Sequence, residues 1–136
     1  MSPISILIAD DDPFIRQCFR RALEVDPDLH VAWEAQNGLQ AIVLADRHSP
    51  DVVLLDAEMP RMDGFEAARC LRRRRPELCI VIMSLYQQAG SQALESGANA
   101  FIVKDCGCTK LRSLLRSVIQ EHAESPMRDV SEEKPA

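Results

Sequence analysis

Four polar positions, each placed directly after an apolar run, have the residue types and spacing for chemistry. They are the run Asp10-Asp11-Asp12, Asp56, Ser84 and Lys104, which follow the apolar runs 6–9, 52–55, 79–83 and 101–103. If these runs are parallel strands of one sheet, their carboxyl ends meet at the edge where open α/β folds bind ligands. A cluster of acids with one lysine at that edge indicates phosphate chemistry around a hard cation.

The three carboxylates of Asp10, Asp11 and Asp56 would then lie within a few ångströms of one another. Two like charges ~4 Å apart repel by about 4 kcal/mol at an effective dielectric constant near 20. Such carboxylates must take up protons or share a cation. Oxygen ligands in a small open site favour Mg²⁺, which keeps several waters and bridges carboxylates to phosphate. One carboxylate can then act as a nucleophile and form an acyl phosphate.

Lys104 and Ser84 supply groups that bind phosphoryl oxygens. The lysine offers a compact positive charge, and the serine donates one hydroxyl hydrogen bond. Each acid or base taken singly has a structural explanation: a strand-end Asp is usually a turn former, Asp12 suits a helix cap, and Lys104 can extend into solvent. The coincidence of all of them on matching strand ends favours a phosphoryl-handling site.

The elements that must position these residues follow from periodicity. Apolar runs alternate with segments of helical spacing, and the predicted strands are 4–9, 30–35, 52–55, 79–83 and 100–103. Near-continuous apolar strands with intervening helices indicate a parallel sheet covered on both faces. We predict a flavodoxin-like (βα)₅ three-layer α/β sandwich, and analogy with that fold gives the strand order 2-1-3-4-5.

Several packing details are also predicted. Phe14 and Leu39 belong to the core-facing stripes of the first two helices, and Val31 and Trp33 share one face of the second strand. The fourth helix, 87–96, has low helix propensity and a thin apolar stripe, so we expect it to be the labile element.

Composition bounds the class of protein. The 136 residues are 46% hydrophobic with a net charge of −5, which predicts one globular domain and disfavours a whole-domain nucleic-acid footprint. We predict the domain over residues 1–123 and a disordered tail or linker start over 124–136, which is polar and aperiodic. No run is long enough for a membrane span, no signal peptide is evident, and the odd number of cysteines favours a reducing, cytoplasmic compartment.

Together these motifs resemble the bacterial two-component response-regulator receiver domain. The residues that carry the resemblance are Ile6–Pro13, Asp56–Gly64, Ser84 and Phe101–Lys104. The resemblance runs from about Ile4 to Ala123. Lys104 followed by Asp105 is most similar to regulators with a helix-turn-helix output, which implies control of transcription.

The resemblance implies a role for each acid. Asp56 would accept a phosphoryl group from a phosphohistidine on a sensor histidine kinase. Asp11, Asp56 and the backbone carbonyl of Glu58 would bind Mg²⁺ directly, and Asp10 would bind it through water.

It also implies a switch. Ser84 and Lys104 would bind the phosphoryl oxygens, and Phe101 would change rotamer as Ser84 moves. The face made by the fourth helix, fifth strand and fifth helix would then contact a partner or form a homodimer. Contact with DNA would come only through an output domain absent from this chain.

Three positions depart from the usual family pattern. Asp105 replaces a proline whose preceding peptide bond is cis, and a cis bond to a non-proline residue costs ~3 kcal/mol. Leu85 is bulky where a small residue is common and could restrict access of the phosphodonor or of water. Tyr86 lies at a rim position that helps to set the dephosphorylation rate.

Two other classes compete with this interpretation. A Mg²⁺-dependent phosphatase or phosphotransferase with an aspartyl nucleophile would use Glu58 as its general acid, but no substrate-covering cap domain fits in this length. A pseudo-receiver that acts by protein contacts alone would have lost an acid or the lysine. We therefore expect no enzyme activity beyond the domain's own phosphorylation and dephosphorylation.

Overall fold

The computed structural model describes residues 3–104 and 108–124. Five parallel strands form one sheet in the order β2-β1-β3-β4-β5, and helices cover both faces. The elements are β1 (Ile4–Ala9), α1 (Pro13–Leu23), β2 (Leu29–Ala35), α2 (Gly38–His48), β3 (Val52–Asp56), α3 (Gly64–Arg74), β4 (Cys79–Ser84), α4 (Gly90–Glu95), β5 (Ala100–Val103) and α5 (Cys108–Glu124). The predicted flavodoxin-like fold and strand order are confirmed.

Alternation along the strands divides the core into two clusters. In β1, Ile6 and Ile8 point into the cluster that packs with α1 and α5, whereas Leu7 and Ala9 point into the cluster that packs with α2 and α3. All four side chains are fully buried. Burial on both faces explains why the central strands are continuous apolar runs.

The second strand corrects one prediction. Ile6 pairs with Val31 but Leu7 pairs with Trp33, so Ala32 is an extra residue in β2. Such a bulge breaks the two-residue alternation. Val31 therefore packs in the α1–α5 cluster while Trp33 packs on the opposite face, where its ring stacks on His48 with centroids 4.7 Å apart.

Two predicted core residues are exposed. Phe14 is 67% exposed and Leu39 is 47% exposed. Both lie in the first turn of their helices, at the carboxyl edge of the sheet, where no strand continues beneath them. The predicted apolar stripes of α1 and α2 are confirmed further along, at Leu23 and Ala45, which are fully buried.

The fourth helix is shorter than predicted. A single 3₁₀ turn, Gln87–Ala89, precedes the six-residue α4, and neither has a side-chain cap at its amino end. Helices this short are marginal without tertiary packing. Only Ala93 of α4 is buried, so this element is weakly anchored.

The last helix of the fold is α5. Helix α5 continues to Glu124, one residue beyond the predicted domain boundary. Residues 125–136 and the Lys104–Asp105 bond lie outside the described residues, so the tail and the cis bond remain predictions. Among the described helices, none combines the length and hydropathy needed to cross a membrane.

Candidate functional site

The predicted acidic cluster forms at the carboxyl edge of the sheet. Asp56 is the last residue of β3 and Asp10 directly follows β1, its neighbour in the sheet. Carboxylate oxygens of Asp10, Asp11 and Asp56 lie within 4.8 Å of one another. Asp10 and Asp56 are 1% and 3% exposed, whereas Asp11 is exposed. Three oxygen donors, open to solvent on one side, fit a hard cation such as Mg²⁺.

Lys104, which follows β5 at the same edge, lies between the two buried acids. Its Nζ lies 3.0 Å from Asp10 Oδ2 and 3.1 Å from Asp56 Oδ1. Burial alone would lower the pKa of Lys104, but the adjacent carboxylates of Asp56 and Asp10 outweigh burial and raise it. The lysine is therefore a fixed positive charge at neutral pH.

Asp56 has an unusual protonation equilibrium. Burial, and then the negative charge of Asp10, raise its pKa from 3.8 to about 6. Lys104 and the backbone N–H of Glu58, which donates to Asp56 Oδ1 at 3.3 Å, offset part of this rise. The positive charge of Lys104 thus does not fully offset burial and the charge of Asp10. A bound cation would favour the ionised form of Asp56.

Ser84 lies at the same edge, but its hydroxyl hydrogen-bonds to Glu58 rather than to the aspartate cluster. It is the last residue of β4 and is fully buried. Its hydroxyl donates to the carboxylate of Glu58, 3.2 Å from Oε2, and accepts a hydrogen bond from the Tyr86 N–H at 3.0 Å. The structure therefore places Ser84 beside the cluster, with its hydroxyl proton engaged by Glu58.

A family comparison agrees with this geometry. The model of the response regulator receiver domain matches residues 6–116, which include the acids, Ser84 and Lys104. The chain belongs to the response-regulator receiver family. It is the receiver domain of a response regulator and so a component of two-component signalling.

Individual relatives of this receiver domain differ in their outputs. A protein-glutamate methylesterase/protein-glutamine glutaminase of Pyrococcus horikoshii is 37% identical over 133 residues, which are 92% of this chain and 36% of that protein. The transcriptional regulatory protein DegU of Brevibacillus brevis is 29% identical over 119 residues, 86% of this chain and 50% of DegU. The receiver thus spans between a third and a half of these relatives.

A solved structure shows the same fold. A LuxR-family two-component response regulator from Aurantimonas sp. SI85-9A1 superposes with a TM-score of 0.82 at 29% identity. The match covers 88% of this chain and 87% of that one. Structural neighbours of the receiver therefore include regulators of the LuxR type.

The predicted switch residue Phe101 lies on β5, and the predicted rim residues Leu85 and Tyr86 directly follow β4. Phe101 is half-buried on β5 and packs against Gly90, where an added Cβ would lie 3.2 Å from its ring. Leu85 and Tyr86 are 61% and 55% exposed, directly after Ser84. Their place at the rim of the site and their effect on the dephosphorylation rate remain predictions.

Sequence reasoning missed two kinds of supporting residue. Gly64 begins α3, and a Cβ there would overlap the backbone carbonyl oxygen of Asp56. Only glycine allows this approach, and the Asp63 cap before it was the available signal. Arg16 was also missed: its Nη1 donates to the backbone oxygen of Asp10 at 2.6 Å. Nothing in the periodicity of α1 distinguishes this arginine from a solvated one.

Proposed function

We propose that this receiver is a phosphorylation-driven switch in which Asp56 accepts a phosphoryl group from a sensor histidine kinase. The observation that carries the proposal is the position of Asp56, a buried strand-end carboxylate that contacts Lys104 and shares a cation-sized site with two other acids. A carboxylate oxygen of Asp56 attacks phosphorus, the bond to the imidazole nitrogen of the kinase breaks, and an acyl phosphate forms.

Mg²⁺ bound at the acidic cluster would neutralise charge on the phosphoryl oxygens and bring them to Asp56. The hydrogen bonds support different modes of coordination for the proposed ligands. Asp10 already accepts the Asp12 N–H at Oδ1 and Lys104 at Oδ2, which suits contact through water. Asp11 is exposed and suits direct coordination, together with Asp56 and the backbone carbonyl of Glu58.

Lys104 and Ser84 would hold the transferred group. The ammonium of Lys104 is already 3.1 Å from Asp56, so it meets a phosphoryl oxygen with little movement. Ser84 must first release Glu58. Because Tyr86 N–H bonds to the same serine oxygen, movement of Ser84 displaces the segment that leads into the 3₁₀ turn and α4.

The readout follows from this displacement. We propose that the change reaches the face made by α4, β5 and α5, with Phe101 filling the space that Ser84 vacates. Moving a population from mostly inactive to mostly active takes about 5.5 kcal/mol of differential stabilisation. A few charge-assisted hydrogen bonds to the phosphoryl group can provide it, and the weakly anchored α4 is the element that yields. That face would bind the output partner or a second receiver.

The output that we favour is transcription, through a DNA-binding domain outside this chain. The similarity to DegU and to a LuxR-family regulator supports it. The similarity to methylesterases supports a second candidate, a receiver that controls a methylesterase domain. Both outputs use the same phosphorylation chemistry, with the receiver in a cytoplasmic protein.

The geometry disfavours the two competing classes. An aspartyl phosphatase would need Glu58 as a free general acid, yet its carboxylate accepts the Ser84 hydroxyl. A pseudo-receiver would lack part of the site, whereas here all three acids and the lysine lie together.

Phosphorylation in vitro tests the proposal. Incubation with Mg²⁺ and acetyl phosphate or phosphoramidate should add one phosphoryl group by intact mass, and EDTA should prevent it. Asp56→Asn should abolish the gain. Asp63→Asn is the matched control, because Asp63 lies in the same loop but caps α3, a role that asparagine can keep. Phosphorylation of the Asp56→Asn variant would refute the assignment.

A further inference from the structure

An arginine on α1 contacts the backbone of the acidic cluster. Arg16 is 11% exposed and makes two directed hydrogen bonds. Its Nη1 donates to the backbone oxygen of Asp10 at 2.6 Å, and its Nε donates to Glu34 Oε1 at 2.8 Å. A guanidinium group has a rigid fork of donors, so holding one end fixes the direction of the other.

Glu34 on β2 is the group that holds this fork. Its Oε1 accepts from Arg16, while its Oε2 accepts from Arg20 Nη2 at 2.6 Å and from Nε at 3.0 Å. Burial alone would raise the pKa of Glu34, but the two arginines outweigh it and lower the pKa. Glu34 is therefore ionised at neutral pH, and the network ties α1 to an edge strand of the sheet.

The network fixes the peptide that joins two of the proposed metal ligands. The N–H of Asp10 donates to the Ala35 oxygen at 3.0 Å, and its carbonyl accepts from Arg16. The next residue is Asp11, whose exposed carboxylate makes no hydrogen bond or ion pair with any residue that the structure describes. The backbone therefore sets the direction of its Cα–Cβ bond, and with it the rotamers from which the carboxylate can reach the cation site.

We propose that Arg16, held by Glu34, is a positioning residue that aims the Asp11 carboxylate at the cation. This inference rests on the proposed Mg²⁺ site. Groups that orient metal ligands without touching the metal typically change metal affinity about 10- to 100-fold when they are removed.

Charge repulsion alone predicts the opposite change in Mg²⁺ affinity. Removing a positive charge near a cation site should strengthen Mg²⁺ binding, because less charge repels the incoming ion. Loss of positioning should weaken it. Arg20 is the matched control, since it carries the same charge on the same helix and bonds to the same glutamate, but its hydrogen bonds and ion pairs among the described residues go to Glu34 and Glu24 and not to Asp10.

The experiment is a calorimetric titration of the unphosphorylated protein with Mg²⁺ at pH 8. We expect Arg16→Met to weaken binding about 10- to 100-fold, and Arg20→Met to stay within about twofold of wild type or to bind more tightly. Arg16→Lys, which keeps the charge but lacks the fork, should also bind more weakly than wild type. Thermal melting establishes that each variant is folded.

The outcomes separate the inference from the function on which it rests. If the wild type binds Mg²⁺ and both Arg16 variants bind it equally well, the positioning role is wrong while the metal site stands. If Arg16→Met does not fold, Arg16→Lys decides the question alone. If the wild type does not bind Mg²⁺, the proposed metal site itself is refuted. The same holds if the Asp11→Asn variant binds Mg²⁺ as tightly as the wild type.

Discussion

The hydroxyl of Ser84 donates a hydrogen bond to the carboxylate of Glu58, with Ser84 Oγ 3.2 Å from Oε2. This bond opposes the proposed switch, because Ser84 has one hydroxyl proton and cannot give it to Glu58 and to a phosphoryl group at once. Glu58 thus acts as a competitor for the residue that must sense phosphorylation.

Removing the competitor should favour the phosphorylated-like state. We expect Glu58→Ala to bind beryllofluoride, a phosphoryl analogue, about fivefold more tightly in the presence of Mg²⁺, which corresponds to one hydrogen bond of ~1 kcal/mol. Glu66→Ala removes the same charge from an exposed position of α3 and should have little effect. Equal tightening in both variants, measured by titration calorimetry, would show that net charge and not the Ser84 bond is responsible.

The raised pKa of Asp56 predicts how stability varies with pH in the absence of Mg²⁺. The folded protein binds a proton there with a pKa of about 6, against 3.8 ordinarily, so it holds more protons than the unfolded chain between those values. The free energy of unfolding should therefore fall as pH rises from about 4 to about 6. The Asp56→Asn variant should lack this fall. At pH 7 its free energy of unfolding should exceed that of the wild type by about 1 to 2 kcal/mol, a value reduced for solvent screening.

Urea denaturation of both proteins in EDTA, at several pH values, checks this prediction. Asp51→Asn serves as the control because Asp51 is exposed and lies at the opposite edge of the sheet. Parallel pH profiles for the wild type and Asp56→Asn would contradict the assignment of the titration to Asp56.

Loss of Lys104 should leave two buried carboxylates without their shared cation. We expect Lys104→Met to raise the pKa of Asp56 further and to lower the free energy of unfolding at pH 8 by about 2 kcal/mol. Much of this loss should be regained at pH 5, where a proton replaces the lysine charge. Lys110→Met, an exposed lysine on α5, should show neither effect in the same urea titrations.

A second arginine has a structural role that can be tested separately. Arg72 donates to the backbone oxygens of Gly97 (3.0 Å) and Leu78 (2.8 Å) and to Asn99 Oδ1 (2.7 Å). Its loss would leave the partly buried carbonyl oxygens of Gly97 and Leu78 without these bonds, so Arg72→Ala should cost about 2 kcal/mol of stability in urea denaturation. Arg73→Ala changes the exposed neighbour and should stay within about 0.5 kcal/mol of wild type. Equal losses in the two variants would contradict this role.

The apolar runs and the residues after them were sufficient to predict a parallel sheet and the edge at which these polar residues meet. Asp10, Asp56, Ser84 and Lys104 occupy strand ends, and the parallel arrangement required those ends to meet. Local periodicity gave a wrong prediction where the pairing of two strands decides which face of the sheet a side chain occupies. The bulge at Ala32 placed Trp33 on the face opposite Val31, because the register of β2 depends on β1.

The sequence by itself determined which residues could do chemistry and that they would share one edge, because side-chain type belongs to each residue and the alternation of strands with helices requires parallel strands. Only the tertiary structure decided which atoms contact which. It placed the Lys104 ammonium between Asp10 and Asp56, bonded Ser84 to Glu58, and directed Arg16 at the Asp10 carbonyl. The lysine and serine pairings join elements far apart in the chain, and all three depend on side-chain rotamers, which are fixed only when the helices pack on the sheet.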